Sequence, residues 1–184
     1  IMNEEFQKRL ISSIILIPLA FFFIIKGSFL FSFFILICFF ISSYEWYGMT
    51  KKKKYFLPGL FFLIISFYCA YYIRIIMIEG DYSYFIVILL ICISTDLGGY
   101  IFGKMFKGPK LTKISPKKTL SGAIGGYILS IIILSIYSNY IYSSTKGFEI
   151  TYKILIFILL ISTISQLGDI IISYFKRLSK IKNT

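Results

Sequence analysis

Six long stretches of this chain carry almost nothing but apolar side chains, and that property decides what it can fold into. They run from Leu10 to Ile25, Phe29 to Tyr47, Phe56 to Ile73, Tyr84 to Phe102, Leu120 to Tyr142 and Ile154 to Phe175. A helix needs ~20 apolar residues to cross a hydrocarbon core, and each run reaches or approaches that length. The runs are continuous rather than alternating, which favours helices over the strands of a barrel. The predicted fold is therefore all-α, a polytopic integral membrane protein of about six transmembrane helices in one domain. With hydrophobic residues at 58% of 184, a soluble core of this size could not hide them. The first run leads through Lys26 and Gly27 straight into the second, with no small-residue cleavage site, so it reads as a span rather than a signal peptide. Pro18 is expected to bend it.

A net charge of +12 raises the question of nucleic acid, and its distribution answers it. With the amino terminus in the cytoplasm, 16 of the 20 basic residues fall on inner loops, leaving Lys26, Arg74, Lys146 and Lys153 outside. That is the positive-inside pattern of a membrane protein, so no nucleic-acid partner is expected. Lys51 to Lys54 read as a solvated inner loop attracted to anionic lipid, and Tyr44, Trp46 and Tyr47 as an interfacial aromatic belt. Glu45 reads as reaching the headgroups, or as a third carboxylate near a site. The outer loop around Arg74, Glu79 and Asp81 carries no functional signal. Cys38, Cys69 and Cys92 sit singly in apolar runs and read as small hydrophobes. The absence of histidine excludes a histidine base or histidine-ligated zinc within these residues.

Acids inside a membrane are costly and by default functional. Asp96 lies eight residues before Lys104, and Asp169 seven before Lys176. At 1.5 Å rise per residue, both sit roughly 10 to 12 Å inside the cytoplasmic boundary. Two carboxylates at one depth suit Mg²⁺, which binds through one or two carboxylates plus substrate phosphates. Structural hydrogen bonding and an ion or proton path remain alternatives. Gln166, Asp169 and Ser173 recur at three and four residues and share a helix face. Gly99 with Gly103, and Gly122 with Gly126, are G-x-x-x-G pairs that predict close helix packing.

Between the fourth and fifth runs lie six lysines from Lys104 to Lys118. The segment ends Ser115, Pro116, Lys117, Lys118, Thr119, which predicts a helix start with Ser115 as cap and Pro116 in the first turn. A helix amino terminus beside lysines is a phosphate site in waiting, although the loop is not of Walker type.

The segments STDLGGYIFGK, ISPKKTLSGAIGG and QLGDIIISYFKR, in that order and spacing, resemble the phosphatidate cytidylyltransferase (CDP-diacylglycerol synthase) family, with YEW at Tyr44 to Trp46 in support. The resemblance implies a multi-pass enzyme of the cell inner membrane, its active site facing the cytoplasm, joining CTP and phosphatidic acid with Mg²⁺ as cofactor. It places Asp96 in the nucleotide and phosphate site and Asp169, Lys176 and Arg177 in the catalytic metal region; with the shared depth of the two acids, all four are expected to be catalytic and Asp96 and Asp169 to be the metal ligands. Ser115, Pro116, Lys117, Lys118, Thr119, Gln166 and Ser173 become substrate-binding residues. A homodimer is compatible with it. Family members commonly carry glutamate where Ser121 stands, and aspartate where Asn183 stands. Their signature continues with a histidine-glycine-glycine stretch and a carboxylate cluster. The expectation is a fragment lacking the carboxy-terminal part of the active site, with a truncated, inactive homologue as the alternative, and no measurable activity in these 184 residues alone. The alternative function is a small ion- or proton-coupled transporter. Against it, such acids would lie near the midplane between repeats, and an ion path needs no S-P-K-K-T loop. A CDP-alcohol phosphotransferase is disfavoured because its aspartate-rich signature is missing.

Overall fold

In the computed structural model, residues 4–51, 53–76, 82–112, 115, 118–145 and 151–179 are described, and side chains within them apart from 5–14 and 140–145, together with that of Glu4. Each predicted run becomes a helix: α1 (Glu4–Lys26), α2 (Ser28–Thr50), α3 (Phe56–Tyr71), α4 (Ser83–Phe106), α5 (Leu120–Thr145) and α6 (Tyr152–Leu178). The helices overrun the apolar runs by one to six residues at most of their ends, because polar flanks still complete helical hydrogen bonds outside the hydrocarbon. Helix α1 is continuous through Pro18. The third run ends in a π-helical turn, Tyr72–Ile76, rather than in regular helix. Helices α2 to α6, with α3 counted through the π-turn, are long and apolar enough to span a membrane; the described apolar part of α1, Ile15–Lys26, is shorter. Large apolar side chains such as Phe29, Phe40, Phe61, Ile136 and Ile164 point outward, as a lipid-facing surface requires.

The chain divides into two compact units, Ile1–Phe85 and Ile86–Thr184. In the first, α2 and α3 are joined by Trp46. Its indole is buried, its Nε1 donates to the Phe56 carbonyl at 3.0 Å, and its ring lies where a Cβ on Gly59 would fall. Trp46 is thus an interhelical pin and not the interfacial residue expected from its neighbours, whereas Tyr44, Glu45 and Tyr47 are exposed.

Arg74, in the loop read as uninformative, organises the opposite end of this unit. The π-turn carries its guanidinium to the carboxy terminus of α1, where Nε donates to the Ile24 carbonyl at 2.8 Å and Nη2 reaches that of Ile25 at 3.5 Å. The last carbonyls of a helix have no partner within it and carry partial negative charge, so a buried cation fits there. The rings of Phe31 and Tyr82 flank it at 5.9 and 5.8 Å.

The second unit has a small apolar core of Val87, Ile91, Leu134 and Ile158, contributed by α4, α5 and α6. Toward the lysine-rich loop this core gives way to glycine and hydroxyl contacts. A Cβ on Gly98 would lie 2.5 Å from the Gly125 carbonyl oxygen, and one on Gly122 would lie 2.6 Å from that of Gly99. The paired G-x-x-x-G motifs therefore do what was expected of them, bringing the α4 and α5 backbones into contact. Helix α6 is tied in by polar bonds: Thr95 to Ser162 at 2.8 Å, Tyr127 to Thr163 at 2.9 Å, and Gln166 Nε2 to the Ala123 carbonyl at 3.3 Å.

Candidate functional site

The close approach of α4 and α5, with α6 alongside, leaves a cavity of about 230 Å³ in the second unit. Its lining includes Thr95, Asp96 and Tyr100 from α4, Lys118 and Thr119 from the loop, and Gln166 with Asp169 from α6. Asp96 and Asp169, 73 residues apart in sequence, thus open onto one space, as their common depth predicted. Asp96 is within electrostatic reach of both Asp169 and Lys118. Lys118 Nζ forms an ion pair with Asp169 Oδ2 at 2.6 Å, the lysine side chain 27% exposed and the aspartate 52%. Gln166 is held by its bond to Ala123, which fixes the face α6 presents.

The loop reaches the cavity by a route the sequence did not disclose. Helix α5 starts at Leu120, not at Pro116, and its capping residue is Thr119, not Ser115. The Thr119 hydroxyl accepts the Gly122 amide at 3.1 Å, and its carbonyl accepts the Ala123 amide at 3.0 Å. The helix cannot begin earlier because the preceding backbone is committed elsewhere. The Leu111 amide bonds the Lys118 carbonyl and the Leu120 amide bonds the Pro109 carbonyl, each at 2.8 Å, around an antiparallel bridge between Lys110 and Thr119. The Lys118 amide closes a turn onto the Ser115 carbonyl at 3.0 Å. Ser121 pins the far side of the loop by accepting the Gly108 amide at 3.2 Å. This pinch sets Lys118 and Thr119 side by side at the positive end of α5, the end that favours anions.

The other expected site residues are placed differently. Ser115 is buried, and its amide donates to Thr112 Oγ1 at 3.1 Å; it supports the turn rather than lining the cavity. Pro116 and Lys117 lie outside the described residues. Ser173 does not line the cavity, for its hydroxyl turns back to the Asp169 carbonyl at 2.7 Å. Lys176 and Arg177 occupy the last turn of α6, outside the lining. The sequence reading missed Tyr100 and Leu111 as wall residues; only the position of Tyr100 one turn beyond Asp96 could have signalled its place.

A divalent cation can be tested against this donor set. Among the described residues no group of three or more acidic or cysteine side chains converges as a protein-only metal cage. Two carboxylates on one cavity would suit instead the Mg²⁺ mode in which phosphates and water complete the shell. Asp96 and Asp169 are the residues that would hold it.

Comparison with known proteins identifies the family to which the chain belongs. Residues 7–83 and 75–184 match the cytidylyltransferase family. A protein of Rickettsia conorii named phosphatidate cytidylyltransferase is 33% identical over 184 residues, covering 96% of this chain and 77% of the relative. One of the same name from Rickettsia felis is 33% identical over 189 residues, covering 99% and 81%. A Staphylococcus aureus protein, also so named, is 37% identical over 103 residues, covering 55% of this chain and 38% of its own length. No solved structure matches the chain. With the match extending over residues 7–184, the chain belongs to the cytidylyltransferase family.

Proposed function

We propose that this protein transfers a cytidylyl group from CTP to phosphatidic acid, giving CDP-diacylglycerol and pyrophosphate, at the cytoplasmic face of the inner membrane. The observation that carries the reading is the gathering of Asp96, Asp169, Lys118 and Thr119 around one cavity, in a chain whose relatives are named for this reaction. The family match leaves the transporter alternative unsupported.

A phosphatidate oxygen attacks the α-phosphorus of CTP. A new P–O bond forms, the bond from the α-phosphorus to the oxygen bridging the β-phosphorus breaks, and pyrophosphate leaves. No protein nucleophile is required. Both reactants are anions, so the chain's task is to hold them in line while offsetting their repulsion. Lys118 supplies a full positive charge, and the amino terminus of α5 adds its dipole. Gln166 offers an amide to a phosphate or base oxygen. Mg²⁺, held by Asp96 and Asp169, would supply Lewis-acid neutralisation of the phosphates. Lys176 and Arg177, at the basic end of α6, fit the headgroup of the lipid substrate.

The test is CTP-dependent conversion of phosphatidic acid by the full gene product in reconstituted vesicles. Label from α-labelled CTP entering the lipid fraction only when phosphatidic acid and Mg²⁺ are present supports the reading. Label that stays in the aqueous phase with every lipid offered refutes it.

A further inference from the structure

The Lys118–Asp169 pair sets two of the cavity's expected tasks against each other. The cavity's charged lining is two carboxylates and one ammonium, and that ammonium lies directly on one of the carboxylates at 2.6 Å. A cation approaching Asp169 meets Lys118 already there. A triphosphate drawing Lys118 away leaves Asp169 unpaired against further negative charge. When both enter together, the ammonium passes to a phosphate oxygen and Asp169 passes to the cation, and every charge finds a partner. The pair is open enough to exchange, because both partners line the cavity and the Asp169 side chain is half exposed.

We propose that Lys118 is a positioning latch on Asp169, which makes the cavity bind a divalent cation and a nucleoside triphosphate cooperatively and resist either one alone. This rests on the functional reading above. Opening the pair has a cost that each ligand bears in full when it binds singly and that is incurred once when both bind. That shared cost is by itself a positive coupling between the two sites, and it must be reciprocal. Lys104 provides an internal contrast. Its ammonium lies 5.8 Å from the ring of Tyr100, another cavity residue, so it adds background positive charge without sitting on Asp169.

The experiment measures Mn²⁺ affinity by electron paramagnetic resonance on purified full gene product in nanodiscs, with and without CTP, for wild type, Lys118→Gln, Lys118→Arg and Lys104→Gln. Lys118→Gln is expected to bind Mn²⁺ alone about tenfold more tightly than wild type, and the factor by which CTP tightens Mn²⁺ is expected to fall several-fold. Lys118→Arg, which keeps the charge, should bind Mn²⁺ alone more weakly than Lys118→Gln and retain most of the CTP effect, which shows that the charge and not the fold is being read. Lys104→Gln should stay within about twofold. Unchanged or weaker Mn²⁺ binding in Lys118→Gln overturns the latch, as does an equal effect of Lys104→Gln, which would reduce the pair to background charge. Wild-type protein that binds Mn²⁺ but no CTP, with the Lys118→Gln increase intact, overturns the nucleotide reading and leaves the cation half of the latch standing.

Discussion

Arg74 occupies the space that a side chain at Gly27 would need: a Cβ built on Gly27 falls against the guanidinium that caps α1. Gly27 also has φ 61° and ψ −153°, a backbone state that only glycine adopts at low cost. The α1–α2 corner is therefore specified twice over, once by conformation and once by an arginine nearly fifty residues away.

Gly27→Ala should consequently lower stability by roughly 1–3 kcal/mol, and by more than any exposed glycine-to-alanine change. Gly48, whose Cβ would meet nothing within 4 Å, is the control. Thermal unfolding in detergent of the two variants checks this. Equal midpoints would remove Arg74 from its organising role.

The α4–α5 contact makes a second prediction. The backbone atoms facing Gly98 and Gly122 cannot move aside as a flexible side chain can. Alanine at either position should cost about 1–3 kcal/mol and should widen the helix pair that forms the cavity. Gly98→Ala is expected to lose nucleotide binding together with stability, read by unfolding midpoint and by equilibrium binding of CTP. A variant with wild-type values in both would contradict the close packing.

Thr95 shares its hydroxyl between the Ile91 carbonyl at 2.7 Å and the Ser162 hydroxyl at 2.8 Å, one residue before Asp96. Interhelical hydrogen bonds in membranes average about 0.6 kcal/mol. Thr95→Val and Ser162→Ala should each have an effect of that size, and the double variant should cost less than their sum because both remove one bond. Strict additivity in unfolding measurements would mean that α4 and α6 are not joined there.

What could be read from the chain, and what could not, divides along physical lines. Helix number and placement depend on run length and hydropathy, which are local, and so α2 to α6 were legible to within a few residues at most ends. That Asp96 and Asp169 open onto one cavity could be anticipated from a rise per residue and a count to the nearest lysine. The glycine pairs carried their packing role in their spacing. By contrast, Arg74 looked like a loop charge because its partners on α1 are distant in sequence. Trp46 looked interfacial because its burial depends on Gly59, a residue whose fit becomes visible only when α3 folds back. Ser115 looked like a cap because Ser-Pro often starts a helix. The bridge between Lys110 and Thr119 delays that start to Leu120, and no local signal announces it.

The most direct test of the central claim is label transfer from CTP into lipid by full gene product carrying Asp96→Asn or Asp169→Asn, each checked for wild-type unfolding. Each change removes one carboxylate from the cavity while keeping its shape. Activity is predicted to fall by roughly 10²-fold or more, the scale on which single groups aimed at reacting charge matter. A doubly substituted protein that still makes CDP-diacylglycerol at half the wild-type rate would place the reaction somewhere other than the cavity between α4, α5 and α6.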